Sequence, residues 1–170
     1  MVTMRFLLLF TLALGAASAS NSSASSEPVN ILQRGGCPLF WFSFNSRCYK
    51  YVSTHLAWAD AELYCVSEGA NLVSIHSTEE QSFVRSLVQN FDHAEGWTWI
   101  GFSDIHKEGS WMWSDGCPAK FLGWSTGEPN NGGGIENCGH TNFGTAKNWN
   151  DYPCHYKFPS LCATRLASCP

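Results

Sequence analysis

Eight cysteines constrain this 170-residue chain more than any other feature: Cys37, Cys48, Cys65, Cys117, Cys138, Cys154, Cys162 and Cys169. What they do depends on where the chain goes. A single positive charge, Arg5, precedes the apolar run from Phe6 to Ala17, and Ala17-Ser18-Ala19 is a small-residue cleavage pattern. Together these predict a secretory signal over residues 1–19 and an extracellular destination. In that oxidising setting an even cysteine count reads as a disulfide framework, but eight cysteines allow on the order of 100 pairings and spacing selects none of them. A zinc centre fits poorly. There is no C-x-x-C pair, and the close neighbours Cys138/His140 and Cys154/His155 lack metal-site spacing.

The apolar run is shorter than the roughly 18 residues a membrane span needs, and no other stretch approaches that length. Residues 20–36, rich in Ser, Ala and Pro, read as a flexible segment in which Asn21-Ser22-Ser23 is an N-glycosylation acceptor. The segment 37–164 is one domain's worth of chain, and 165–170 form a short tail. Ten basic residues face fourteen acidic ones, and loss of the signal removes Arg5 and no acid. An acidic surface with no basic stripe excludes nucleic acid as the natural partner.

Arg47 to Val52 alternates and is rich in β-formers, which predicts a strand. Trp58, Ala61 and Cys65 recur at helical spacing, so residues 54–67 read as a helix stopped by Gly69. Ser77-Thr78-Glu79-Glu80 is a capping box, and Phe83, Val84, Leu87 and Val88 make the apolar stripe of a second helix. Trp97 to Phe102 and Ser160 to Thr164 read as strands. Between Asp104 and Trp149 the composition turns to Gly, Asn, Pro and Trp, and so long a structureless stretch in a compact domain predicts a functional loop system. The fold class is therefore α+β.

Within that system stand Glu128-Pro129-Asn130, Glu136-Asn137-Cys138 and Asn148-Trp149-Asn150-Asp151. They offer hard carboxylate and amide oxygens only, beside a run of three glycines, Gly132 to Gly134, that lets the backbone bend. Such a set suits Ca²⁺, which takes about six to eight oxygens from flexible loops, and suits zinc poorly, since it contains no thiolate or imidazole.

Trp58-x-x-Ala61-x-x-x-Cys65, Trp99-Ile100-Gly101-Phe102, Trp111-x-Trp113-Ser114-Asp115-Gly116, Glu128-Pro129-Asn130 and Trp149-Asn150-Asp151 together resemble the C-type lectin domain. The resemblance runs from about Cys37 to Cys162. It is similar in form to the soluble fish lectins of the ladderlectin type and to type II antifreeze proteins. It implies two helices with antiparallel sheets, a long calcium-binding loop region, and the pairs Cys37–Cys48, Cys65–Cys162 and Cys138–Cys154. Cys117 and Cys169 remain. They pair with each other or bridge between chains, and in this fold their segments are expected to lie apart, which leaves a disulfide-linked homo-oligomer open.

Carried over residue by residue, the resemblance places calcium on Glu128, Asn130, Glu136, Asn150 and Asp151, with a cis bond before Pro129. Glu128, Asn130, Glu136 and Asn150 would also hold the sugar. Each carboxylate accepts and each amide donates, so two adjacent sugar hydroxyls are satisfied in both directions. Glu-Pro-Asn at this place goes with mannose-type hydroxyl pairs in the family, so mannose-type glycans on microbial or host glycoproteins are the implied partners, in innate immune recognition. Asp104 and Glu108 match an auxiliary calcium site, although Asn131 and Asn137 stand where calcium-rich members carry aspartates. Asn148 and His140 are candidates to line the sugar site, although each of the six histidines reads first as a solvated or satisfied side chain, and the tryptophans are expected to pack in the core. The alternative function is ice binding. No Ser/His/Asp or Cys/His constellation supports an enzyme.

Overall fold

The computed structural model describes residues 35–170; the signal expected over 1–19, the acceptor Asn21 and the rest of the segment up to residue 34 lie outside the described residues. Strands β1 (Phe42–Phe44) and β2 (Arg47–Leu56) form a hairpin about Asn45 and Ser46. Both turn residues have positive φ, 44° and 61°, the geometry of a two-residue turn matched to strand twist. Helix α1 (Trp58–Ser67) and the short β3 (Asn71–Leu72) follow, then α2 (Thr78–Phe91), β4 (Thr98–Ser103) and β5 (Met112–Trp113). A long loop leads to β6 (Cys138–Phe143), β7 (Asn148–Tyr152) and β8 (Phe158–Ala163).

Among the described residues the sheet runs β1-β2-β8-β4-β6-β7, with β3 beside β8 and β5 beside β4. Its pairs are antiparallel except β4 with β8, where Trp99 meets Ser160 in parallel. The two helices cover separate parts of the core. On α2, Phe83, Val84, Leu87 and Val88 are buried with Tyr49, Ile75, Ile100, Phe102, Trp113 and Trp149. On α1, Ala61 and Cys65 are buried with Val52, Leu72 and Trp99.

Ser77 caps α2, its hydroxyl accepting the Glu80 amide at 3.1 Å. The Glu80 carboxylate reaches back one residue further than a capping box does, accepting the amide of His76 at 2.7 Å. The first helix is shorter than the sequence implies. Residues up to Leu56 stay in β2 because Leu56 pairs with Phe158, and α1 begins at Trp58. Trp58 then fixes the helix to the sheet by donating its indole N–H to the Ile100 carbonyl at 2.8 Å. A further difference is β6. It occupies the region read as loop, because Cys138 to Asn142 are all buried and carry no alternation of apolar and polar residues.

All eight cysteines are paired within the chain, as Cys37–Cys48, Cys65–Cys162, Cys117–Cys169 and Cys138–Cys154. Of the two alternatives left open for Cys117 and Cys169 the third pair is the internal one, and it corrects the expectation that their segments lie apart. After β8 the tail does not leave the domain. Thr164 donates its amide to the Cys48 carbonyl at 2.9 Å and accepts the Cys48 amide on its hydroxyl at 3.0 Å. Leu166 packs on the core cluster that contains Cys117, and Lys120 donates to the Pro170 carbonyl at 2.9 Å, so Cys169 arrives over the 115–120 loop.

No helix among the described residues is long and apolar enough to cross a membrane.

Candidate metal and glycan site

Strand β7 is the base of the site. Trp149 is fully buried, donates its indole N–H to Gln81 at 2.7 Å, and packs against Phe102, Trp113, Phe121 and Trp124. Its backbone holds the incoming loop: its amide donates to the Gly123 carbonyl at 2.8 Å and its carbonyl accepts from Ser125 at 2.8 Å. Asn150 and Asp151 follow directly, opposite His140 and Gly139 on β6. Cys138–Cys154 closes the base of this hairpin.

Asp151 organises the loop above it. Fully buried, it accepts the Asn130 amide on Oδ1 at 3.1 Å and the Asn131 amide on Oδ2 at 2.7 Å. The bond between Glu128 and Pro129 is cis. Asn131 turns the chain with φ of 46°, a left-handed conformation that asparagine tolerates, and accepts the Glu136 amide at 3.1 Å. Gly132 lets the Glu136 carboxylate approach closely. Its amide donates to Glu136 Oε2 at 2.6 Å, and a Cβ there would lie 2.8 Å from the same oxygen.

The structure thus brings Glu128, Asn130, Glu136, Asn150 and Asp151 from three separate segments onto one loop and one strand. Their electrostatics are unbalanced. Burial, then the Asp151 carboxylate, then Glu136 hold the Glu128 carboxyl above its ordinary range. Among the described residues no lysine or arginine forms an ion pair with any of the three acids. Two buried oxygens of the set, Glu128 Oε2 and Asn150 Oδ1, have no hydrogen-bond partner. Buried acceptors are normally satisfied, so orphaned oxygens beside crowded carboxylates fit a bound hard cation.

The residues expected around this set fall differently. His140 is fully buried and does not line an accessible sugar site. Burial lowers its pKa to about 4, so the ring is neutral at physiological pH. Asn148, at the start of β7, is partly exposed. Asp104 and Glu108 are brought together, but the Asn137 side-chain amide stands between them, donating to Asp104 Oδ1 at 3.1 Å and Glu108 Oε2 at 3.4 Å. The other Asp104 oxygen accepts the Gly109 amide at 2.7 Å. These bonds give both acids a role in loop structure. Among the described residues, His76, Asp115 and Cys117 are the group of His, Cys, Asp or Glu side chains whose ligand atoms all lie within 4.8 Å of one another, a spacing that Glu128, Glu136 and Asp151 do not reach as a set, but the Cys117 sulfur is committed to its disulfide. The sequence reading missed Gln81, which clamps β7 through Trp149 and β6 through Thr141; its place on the polar side of α2 gave no signal.

The family described as Lectin C-type domain matches residues 54–164. The chain belongs to the C-type lectin domain family. Members of this family are carbohydrate-binding lectins and not enzymes. Lactose-binding lectin l-2 of Anguilla japonica is 41% identical over 139 residues, covering 79% of this chain and 82% of the relative. A C-type lectin mannose-binding isoform of Oxyuranus scutellatus is 37% identical over 134 residues, 76% of this chain and 84% of its own. A Ca²⁺-dependent type II antifreeze protein, solved in its Ca²⁺-free form, superposes with a TM-score of 0.71 at 36% identity, covering 76% of this C-type lectin chain and 100% of that one.

Proposed function

We propose that this C-type lectin is secreted, binds Ca²⁺ through Glu128, Asn130, Glu136, Asn150 and Asp151, and uses the ion to hold mannose-type glycans on microbial or host glycoproteins in innate recognition. The observation that carries the reading is the cluster of Glu128, Glu136 and Asp151 with no cationic side chain paired to it and with orphaned oxygens on Glu128 and Asn150. When bound, the ion supplies coordination places for two adjacent sugar hydroxyls. The chain's part is orientation: the Glu128 and Glu136 carboxylates accept hydroxyl protons, and the Asn130 and Asn150 amides donate to hydroxyl oxygens.

Specificity rests on Glu128 and Asn130, which give the mannose-type order of acceptor and donor. The relatives' names point both ways, one to lactose and one to mannose, so retention on mannose-agarose against galactose-agarose is the test. The expected result is mannose-selective retention in calcium and elution by EDTA. Acid elutes it too. Because Glu128 takes up a proton above the ordinary glutamate range, protons compete with the cation from that range downward, and retention is lost by about pH 4. Galactose selectivity, or retention in EDTA, would refute the assignment.

A monosaccharide at one shallow site binds at roughly millimolar strength, about −4 kcal/mol, so useful avidity needs several copies. With every cysteine paired internally, clustering of this chain is non-covalent. Ice binding is the second reading, favoured by the antifreeze likeness; thermal hysteresis without sugar retention would establish it instead.

A further inference from the structure

We propose that His140 is a positioning residue that sets which way the Asn150 carboxamide faces, and so presents Asn150 Oδ1 as a ligand oxygen; this rests on the calcium reading above. The ring lies in a closed aromatic box, stacked on Trp97 at 4.8 Å between centroids and edge-on to Trp99, Phe143, Tyr152 and Phe158. It cannot reach solvent, so its two nitrogens must find partners in the protein. Nδ1 lies 3.1 Å from the Thr141 carbonyl oxygen. A carbonyl only accepts, so Nδ1 carries the proton of the neutral ring and Nε2 keeps a bare lone pair.

That lone pair faces Asn150, whose Nδ2 is 3.3 Å away. Only the amide N–H₂ can satisfy it. A carboxamide flipped by half a turn would set Oδ1 against Nε2, two acceptors facing each other in a dry interior. The side chain is therefore held with Oδ1 on its other side, where that oxygen has no protein partner. The chain of constraint runs from the Thr141 carbonyl through the imidazole to one amide, and each link follows from donor and acceptor chemistry alone. His140 and Asn150 face each other across β6 and β7, so the strand register fixes the contact. Histidines and carboxylates that orient metal ligands from behind are worth about 10–100-fold in affinity.

The test uses the whole secreted protein and two readouts. In EDTA, nitrogen-15 NMR of the imidazole is expected to show His140 protonated at Nδ1 and bare at Nε2. In calcium titrations, His140→Phe fills the aromatic box without an acceptor and is expected to lose about tenfold or more in calcium affinity. His140→Gln, whose Oε1 replaces the Nε2 acceptor, is expected to recover most of that loss. A proton on Nε2, or a folded His140→Phe that binds calcium like the wild type, overturns the proposal. Should His140→Phe fail to fold, the tautomer decides. Should the wild type bind no calcium, the metal reading fails, and the tautomer in EDTA still decides whether Asn150 is held this way.

Discussion

Replacing Arg47 with methionine is expected to lower the free energy of unfolding by about 3–5 kcal/mol, seen as a fall in the urea midpoint with an unchanged slope. Arg47 is 2% exposed, and its guanidinium donates to five acceptors. They are the Thr164 carbonyl at 2.7 Å, the Ser74 carbonyl at 2.7 Å, the Ser74 hydroxyl at 2.9 Å, Glu80 Oε1 at 3.0 Å and Asp115 Oδ2 at 3.4 Å. Glu80 is also the acceptor for the Tyr49 hydroxyl at 2.6 Å. Burial first, and the Glu80 charge second, push that phenol above its ordinary range, so it stays a donor. Two buried acids thus depend on one buried cation. Methionine keeps much of the volume but leaves Glu80 and Asp115 without their counter-charge, and an uncompensated buried charge is what makes breaking such a pair expensive. Removing Glu80 as well, in Arg47→Met/Glu80→Met, is expected to cost less than the sum of the two single changes, since one of the two orphaned carboxylates is gone and only Asp115 remains. Additive losses, or a cost under about 1 kcal/mol for Arg47→Met, would contradict this account of the network. Its reach explains the size of the effect: it joins β2, the segment before α2, α2 itself, the 115–120 loop and the tail.

Changing Asp151 to alanine is expected to weaken calcium binding on the order of 100-fold or more and to abolish sugar retention. Two losses combine. A carboxylate leaves the ligand set, and the amides of Asn130 and Asn131 lose the acceptor that holds the loop over β7. The domain itself should survive, because the four disulfides and the two core clusters stay in place. Asp151→Asn separates the terms: its amide oxygen still accepts one loop N–H while the charge is lost. Its calcium affinity should fall between wild type and Asp151→Ala. Calcium titration calorimetry with circular dichroism checks both, and a folded Asp151→Ala with wild-type affinity would remove Asp151 from the ligand set.

Local signals made part of this fold legible and left the rest silent. The start of α2 could be read because Ser77 and the Phe83, Val84, Leu87, Val88 stripe act within a few residues of each other. The end of β2 could not: Thr54 to Leu56 look like the approach to a helix, and only pairing of Leu56 with Phe158, a hundred positions away, keeps them in the sheet. Strand β6 is silent for another reason. Burial on both faces erases the period of two that marks a half-exposed strand. The Cys117–Cys169 bridge depends on where the tail runs after Ala163, and its contacts with Cys48 and Lys120 carry no local pattern.

At the site, the residue types announced hard-oxygen chemistry, since Glu128, Asn130, Glu136, Asn150 and Asp151 stand in three compact motifs. Their support was invisible in the chain. Nothing near Asp151 in sequence says that it holds the amides of Asn130 and Asn131, which lie 20 positions and more before it. The sequence leaves His140 between a satisfied histidine and a sugar contact, and the structure makes it the satisfied one. A histidine near a loop looks like a sugar contact until the sheet places it under Asn150 in an aromatic box.

The central claim is that these crowded carboxylates are built around calcium, and thermal unfolding at pH 7 in millimolar calcium against EDTA tests it most directly. A ligand that binds only the folded state at roughly 100 times its dissociation constant adds about 2.7 kcal/mol of stability. The account predicts a melting temperature several degrees higher in calcium, with no such rise for Asp151→Ala. Superimposable melts of the wild type in calcium and in EDTA would contradict it.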